Sequence, residues 1–256
     1  MAAMALPPRV LDQSVDPRFP APMRRFVELY QLPRVTIEMS GDDGCLLLYR
    51  HFTRRHPRYR VIRNKAWGVA LLSLPDTYEA YIAGGARRHM RGHVSRATRG
   101  GYTFGPLDPL ASLDEIMDIN RSAETRQGRP MHPDYLDGEA VATYLRGAGE
   151  VYGVRDSDGR LRAYADLRQC GAIACMSRLL GHAEHLAQGV MYLLLAGIIR
   201  SLIERRSATG QPTWFMYDTF PGASVGLAQF KRAIGCEPHR VTWRWSGVAS
   251  QIASGA

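Results

Sequence analysis

The sequence predicts a mixed α/β (α+β) fold in which helices flank a mostly antiparallel sheet. Its 256 residues are enough to bury a substantial core. From residue 150 onward, β-branched segments of strand length alternate with helical patterns. The first two of these segments, "EVYGVRD" and "LRAYADLRQC", are joined by a turn at Asp158-Gly159, which is a strong hairpin signal.

The first half predicts a shorter set of elements. After a proline-rich arm, "MRRFVELYQL" predicts a helix, and "RVTIEMS", "GCLLLYRHF" and "YRVIRNKAWGVALLSL" have the half-alternating character of strands. From Tyr78 to Val94 the apolar residues recur at helical spacing until Gly100-Gly101, and the strand "YTFGPL" follows.

The middle section predicts two helices around a polar loop. Ser112 is expected to cap the first helix, and the second covers Asp137 to Leu145. The loop "AETRQGRPMHPDY" between them is rich in hydrogen-bonding groups, which are frequent in binding loops. Because arginine pairs with carboxylates and phosphates, the predicted acceptor-binding residues here are Glu124, Arg126 and Arg129.

The second half continues with the strand "GAIACMSRLLG" and the polar link "HAEHLAQG". An apolar helix from Val190 to Arg206, the strand "TWFMYDT", the amphipathic helix "GASVGLAQFKRAIG" and the strand "HRVTWRW" complete the prediction.

Composition limits the class of protein. Hydrophobic residues make up 45% and charged residues 22% of the chain, and no apolar run approaches the roughly 20 residues of a membrane helix. No signal peptide is visible, so we expect a cytoplasmic protein without membrane attachment. The four cysteines lack CxxC or metal-ligand spacing, and they are expected to be buried thiols.

The net charge of +9 indicates an anionic partner: nucleic acid, a nucleotide-bearing donor or an acidic carrier protein. The alternative is an arginine bias from a GC-rich genome, because only Lys65 and Lys231 among the 33 basic residues are lysine.

The element order after residue 150 resembles the second half of the GNAT acyltransferase fold. In that family the strand before the link exposes backbone N–H groups to the donor, and the next helix N-terminus holds donor phosphates. The resemblance implies donor binding by Arg178, Gly181, Gln188, Gly189 and Val190. This link lacks the family's usual alternating glycines.

The pair Phe230-Lys231 resembles the FemAB-type branch, which transfers amino acids from aminoacyl-tRNA. Acetyl-transferring members usually bear a tyrosine on this helix, where the present chain has Phe230. The resemblance implies that Lys231 stabilises negative charge near the transfer site. The alternative is a solvated helix lysine.

The segment "YEAYIAGGARRHMRGHVSRATRGGYTF" is similar to an arginine-rich helix of FemAB-like proteins. Arg88, Arg91 and Arg99 lie near one another at helical spacing and could hold donor phosphates. Solvation of a helix surface is the alternative.

Several residues are candidates for proton transfer or acceptor binding. One of His182, Glu184 and His185 in the link is expected to be the base or a substrate contact, and Asp166 and Tyr164 on a strand are the second candidates. Acceptor contacts are expected from Tyr164, Tyr217 and Asp218. No metal is predicted, because "HAEH" is not an HExxH motif and two histidines three apart need further ligands.

These observations predict an arm over residues 1–20, a GNAT-like extension with the basic helix over 21–110, and a catalytic GNAT-like domain over 111–256. The extension could be a degenerate second GNAT-like unit. The predicted reaction is amide formation by direct attack on an activated acyl group, without a permanently bound cofactor.

Aminoacyl-tRNA is the favoured co-substrate, and acyl-coenzyme A or an acyl carrier protein is the alternative donor. The acceptor would be an amine on a small molecule or peptide. A non-catalytic RNA-binding protein is the rival of another class, and the sequence does not indicate an oligomeric state.

Overall fold

A computed structural model describes residues 28–57, 60–126 and 128–247. The predicted arm over residues 1–20 and the first half of the first predicted helix lie outside the described residues.

Eight strands form one sheet in the order β1-β10-β2-β9-β8-β7-β6-β3. The pairs β1–β10 and β8–β9 are parallel and the other five pairs are antiparallel, which confirms the predicted mixed, mostly antiparallel sheet. A separate two-stranded hairpin contains β4 and β5. The strands are β1 (Arg34–Met39), β2 (Val69–Ser73), β3 (Thr103–Pro106), β4 (Thr125–Arg126), β5 (Arg129–Pro130), β6 (Glu150–Arg155), β7 (Leu161–Cys170), β8 (Ile173–Gly181), β9 (Trp214–Thr219) and β10 (Glu237–Trp245).

Helices cover both faces of the sheet. The α-helices are α1 (Asp43–Thr53), α2 (Tyr78–Ile82), α3 (Arg88–Arg99), α4 (Leu113–Arg121), α5 (Gly138–Arg146), α6 (Val190–Thr209) and α7 (Val225–Ala233). Alternate residues of β8 point to opposite faces: Ala174 and Met176 pack in the core beneath α6, whereas Ile173 and Cys175 pack in the core beneath α1. Helices α4 and α5 cover the remainder of the α1 face.

The prediction of a strand over "GCLLLYRHF" was wrong, because this segment forms helix α1. The Asp42 side chain accepts a hydrogen bond from the Cys45 N–H at 2.9 Å and so caps the helix. Cys45 and Phe52, two turns apart, are its buried residues, and the Phe52 ring lies 4.9 Å from the Trp243 ring. Of the next predicted strand, only Val69–Ser73 is extended in the sheet.

The expectation of four buried thiols was also wrong. Cys45 and Cys170 form a disulfide with their Cα atoms 5.4 Å apart, although 125 residues separate them in sequence. Cys175 and Cys236 are free and buried. Only the tertiary fold brings the first pair within bonding distance, so local cysteine spacing could not reveal it.

Strands from both sides of residue 110 share the sheet, since β2 lies between β9 and β10. The shared sheet does not test the predicted boundary at residue 110 between the N-terminal extension and the catalytic domain, and this boundary stays a prediction. Among the described residues, no helix combines the length and apolar character needed to cross a bilayer.

Candidate active site

Strands β8 and β9 diverge in the middle of the sheet. Their parallel pairing runs only from Ile173 opposite Trp214 to Cys175 opposite Met216, although both strands continue beyond it. The facing backbone N–H and C=O groups past this point have no ladder partner across the gap. Such groups are strong hydrogen-bonding groups that a ligand can use.

Both strands are irregular where they separate. The β7–β8 register shifts so that Asp166 pairs with Arg178 and Leu167 with Met176, which leaves Ser177 as an extra residue on β8. On the other side, β9 bulges against β2 at Tyr217 and Asp218. Asp218 adopts a positive φ of 53°, which is uncommon for a non-glycine residue and recurs at functional sites.

A cavity of about 360 Å³ opens between the diverging strands. Its volume lies in the range typical of small-molecule sites. The wall is formed by α1, by the segment before β2, by the bulged ends of β8 and β9, and by α7. The lining residues are Leu48, His51, Phe52, Lys65, Cys175, Met176, Ser177, Met216, Tyr217, Asp218, Leu227 and Lys231.

The only two lysines of the chain, Lys65 and Lys231, both line this cavity. Lys231 is 1% exposed, and its Nζ donates to the Thr219 carbonyl oxygen at 2.6 Å. Burial lowers the pKa of this ammonium. Lys65 forms an ion pair with Asp218. Two cations and one carboxylate therefore meet at the opening between the strands.

His51 brings a titratable imidazole to the same cavity from α1. Its Nε2 lies 3.1 Å from Asn64 Nδ2, and burial lowers its pKa, so the ring is neutral near pH 7. Neither His51 nor Lys65 was among the predicted site residues. The scarcity of lysine was a signal for Lys65, whereas no pattern in the sequence singled out His51.

Aromatic rings close the wall beside Lys231. The Phe230 ring lies 4.8 Å from the Tyr192 ring and 6.3 Å from the Tyr217 ring, both edge-on. Lys231 Nζ is 4.9 Å from the Tyr217 ring centroid. Of the predicted site residues, Lys231, Tyr217 and Asp218 line the cavity, and Phe230 packs behind them.

The predicted link residues lie at the other end of β8. His182 follows Ser177 by five residues, roughly 16 Å along an extended strand. The Gly181 carbonyl accepts a hydrogen bond from Arg126 at 2.9 Å. Gly189 has φ 88° and immediately precedes α6, and of its neighbours Gln188 is exposed and Val190 is buried.

Asp166, Tyr164 and Arg178 form a buried cluster beneath α4 and α5. Asp166 accepts hydrogen bonds from the Tyr144 hydroxyl and from the Gly149 N–H. The Tyr164 hydroxyl donates to Asn120 at 2.8 Å, and burial raises its pKa to about 12. The Arg178 guanidinium lies 3.5 Å from the Tyr144 ring centroid. None of the three predicted residues lines the cavity.

The predicted arginine helix is α3. Arg88 and Arg99 are exposed on it, whereas Arg91 donates to the carbonyl oxygens of Ile82 and Gly84.

The predicted acceptor loop contains the β4–β5 hairpin. Glu124 and Arg129 are exposed there. Arg126 is instead engaged in internal hydrogen bonds, to Gly181, Ile119 and Ser122.

The mixed sheet, its diverging parallel pair and the helices on both faces define a GNAT-like fold. FemX has the same fold: its crystal structure matches with a TM-score of 0.52 at 10% identity, over 67% of this chain and 59% of that chain. This likeness confirms the predicted fold.

Two further solved structures are similar over part of the chain. One is the C-terminal domain (DUF2156) of a putative lysylphosphatidylglycerol synthetase from Agrobacterium fabrum, at 20% identity and a TM-score of 0.44, covering 66% of this chain and 57% of that one. The other is L-PGS from Bacillus licheniformis, at 19% identity and a TM-score of 0.41, covering 62% and 48%.

The chain thus spans between 48% and 59% of the length of these three structures. No protein-family model matches the chain, and no curated protein matches it.

Proposed function

We propose that the chain is an amide-forming acyltransferase whose reaction takes place in the cavity between β8 and β9. The observation that carries this proposal is the convergence of both lysines on a cavity bounded by two bulged, diverging strands. Unpaired backbone groups and a buried cation at one opening are suited to a carbonyl that acquires negative charge.

Lys231 is the proposed oxyanion-stabilising residue. An ammonium has three donors, and within the described part of the chain one of them is used, by the Thr219 carbonyl oxygen. The other two are available to a ligand in the cavity. Because Lys231 itself is 1% exposed, a hydrogen bond that it donates to developing charge is stronger than one in bulk solvent. Phe230 supports this wall by its edge contacts with Tyr192 and Tyr217.

The acceptor must attack as an uncharged amine. Its nitrogen bonds to the donor carbonyl carbon, the bond from that carbon to the leaving oxygen or sulfur breaks, and the amine proton passes to the leaving group. Neutral His51 and the Asp218 carboxylate are the proton acceptors that line the cavity. Asp218 would also orient the amine, with Tyr217 beside it.

His182, Glu184 and Asp166, the bases expected from the sequence, are less suited to proton transfer in this cavity. None of them lines it, and the Asp166 carboxylate is already hydrogen-bonded.

Aminoacyl-tRNA is the favoured donor. Phe230 stands where acetyl-transferring GNAT members usually bear the tyrosine that protonates the leaving thiolate, which is the difference that disfavours a coenzyme A donor. A ribose ester would leave as an alcohol after receiving the proton released by the attacking amine. The exposed Arg88 and Arg99 of α3 and the net charge of +9 would favour a polyanion. The proposed donor contacts along the link remain Gly181, Gln188, Gly189 and Val190. Arg178 and Arg91 could contact the donor only after breaking their present contacts within the protein. The cytoplasm, where charged tRNA is made, is then the expected compartment.

Acceptor recognition is proposed for the exposed Glu124 and Arg129 of the β4–β5 hairpin. Arg126 and Tyr164 would act indirectly, because both are bonded internally.

The deciding experiment incubates the full chain with a pool of charged tRNAs and, separately, with acyl-coenzyme A donors, and identifies the consumed donor by mass spectrometry. Loss of the aminoacyl group from one tRNA, faster than without protein, is the expected result. Consumption of acyl-coenzyme A alone would support acyl transfer but would identify acyl-coenzyme A, and not aminoacyl-tRNA, as the donor. Salt-sensitive RNA binding without consumption of any donor would instead identify a non-catalytic RNA-binding protein.

A further inference from the structure

Two imidazoles and a carboxylate converge in the link between β8 and α6. One ligand atom from each of His182, Glu184 and His185 lies within 4.8 Å of the others. Residues Ala183–Gln188 form a 3₁₀ turn that follows His182. His182 precedes the turn and His185 is its third residue, and their ring centroids lie 5.4 Å apart.

Considering only the residues that the structure describes, each imidazole has one nitrogen near an oxygen atom and one without a hydrogen bond. His182 Nε2 lies 3.7 Å from Asp118 Oδ2, and Nδ1 is buried with no partner in the described part of the chain. His185 Nδ1 lies 2.6 Å from the Tyr102 hydroxyl. In metal-bound histidines the second nitrogen is commonly bonded to an outer oxygen; Tyr102 is within hydrogen-bond distance of His185, and Asp118 would have to approach His182 to make the same bond.

The backbone of the turn is fixed on three sides. The His182 N–H donates to the Arg162 carbonyl at 2.8 Å, and the Ala183 N–H donates to Ser122 Oγ at 3.0 Å. Arg126 holds the preceding carbonyl of Gly181 at 2.9 Å. The ligand side chains therefore project from a backbone that is already positioned, which reduces the entropy lost on binding an ion.

We propose that His182, Glu184 and His185 bind one divalent transition-metal ion of the Zn²⁺ class. Imidazole nitrogen is a preferred ligand of zinc and its neighbours, whereas Mg²⁺ and Ca²⁺ favour all-oxygen sites. Bonds of about 2.1 Å separate tetrahedral ligand atoms by roughly 3.4 Å. The three ligand atoms lie within 4.8 Å of one another, and rotation of the exposed Glu184 side chain can shorten its distances to the two imidazoles.

The expectation of no metal from the sequence rested on the absence of ligands beyond two histidines. The fold brings Glu184 within 4.8 Å of both imidazoles and places Asp118 beside His182 and Tyr102 beside His185. Because the site lies at the far end of β8 from the cavity, it does not depend on the proposed acyl transfer.

A second histidine pair provides a matched control. His89 and His93 lie one turn apart on α3 with their Nε2 atoms 3.2 Å apart, and within the described ranges they belong to no cluster with a carboxylate. A site that needs only two neighbouring histidines would form there equally well.

The test is equilibrium dialysis of the metal-free full chain against Zn²⁺ and against Mg²⁺, with Co²⁺ absorption as a second measure of coordination. We expect one tightly bound Zn²⁺ per chain and no Mg²⁺ binding. His182→Ala, Glu184→Gln and His185→Ala should each weaken Zn²⁺ affinity by at least about tenfold, and His89→Ala should not.

Circular dichroism in a chelator would show that each variant folds, and Glu184→Gln, at an exposed position, is the variant most certain to do so. The proposal is overturned if the wild type binds no Zn²⁺, if the folded ligand variants bind it as tightly as the wild type, or if His89→Ala removes the binding.

Discussion

At the scale of single residues, the two lysines differ from the arginines because both lysines line the cavity between β8 and β9. An arginine-rich surface can attract anions, but a compact ammonium fits where a planar guanidinium does not. Lys231 is enclosed by aromatic rings and one carbonyl, and Lys65 holds Asp218. The scarcity of lysine in the sequence pointed to Lys231 and could have pointed to Lys65 as well.

Burial of Lys231 predicts a pH dependence of stability. Its pKa is lower in the folded chain than in the unfolded chain, so the unfolded state binds more protons between the two values. The free energy of unfolding should therefore rise with pH through that window, which ends near the ordinary lysine value of about 10.4. Urea unfolding of the wild type and of Lys231→Met at pH 7 and pH 10 measures this.

The free energy of unfolding of the wild type minus that of Lys231→Met should be larger at pH 10 than at pH 7. A difference that stays constant would mean that Lys231 titrates as an exposed lysine. Arg232→Met, at the exposed neighbouring position, is the control that should show no shift.

At the scale of elements, periodicity predicted some segments and failed at others. The hairpin at Asp158-Gly159 and the apolar helix α6 were predicted because their signals are local. The segment that forms α1 was predicted as a strand, because the period of a short apolar run does not by itself distinguish a helix from a strand. The bulges at Ser177 and Asp218 depend on register between distant strands, and no local pattern reveals them.

Helix α1 contributes His51 to the wall of the cavity. Removal of its N-cap should measurably lower the free energy of unfolding. Asp42 accepts from the Cys45 N–H and forms an ion pair with Arg168. We expect Asp42→Ala to reduce the free energy of unfolding by about 1 kcal/mol. Asp43→Ala, which removes an exposed carboxylate without a capping bond, should cost less. Urea melts that rank the two variants in the opposite order would contradict this assignment of the cap.

At the scale of the whole molecule, the N-terminal strands complete the sheet around the cavity. β2 inserts between β9 and β10, and Lys65 lies four residues before the first residue of β2, so the cavity includes residues from both halves. Sequence patterns indicated the strands but not their order, because strand order depends on pairing between segments far apart in the chain.

The Cys45–Cys170 disulfide joins α1 to the end of β7, and thiol counting tests it. In denaturant without reductant, Ellman's reagent should titrate two thiols, and after reduction it should titrate all four. Reduction should also lower the free energy of unfolding by about 2–4 kcal/mol, because the unfolded chain loses a long covalent loop. Four thiols before reduction would rule out the pairing.

The most direct test of the central claim compares donor consumption by the wild type, Lys231→Met and Arg232→Met under single-turnover conditions. Loss of one donor to a developing oxyanion typically costs about 10²–10³-fold in rate. The cavity proposal predicts a fall of that size for Lys231→Met with its far-ultraviolet circular dichroism unchanged, and no fall for Arg232→Met. An undiminished rate in folded Lys231→Met would contradict the proposal that the reaction takes place between β8 and β9.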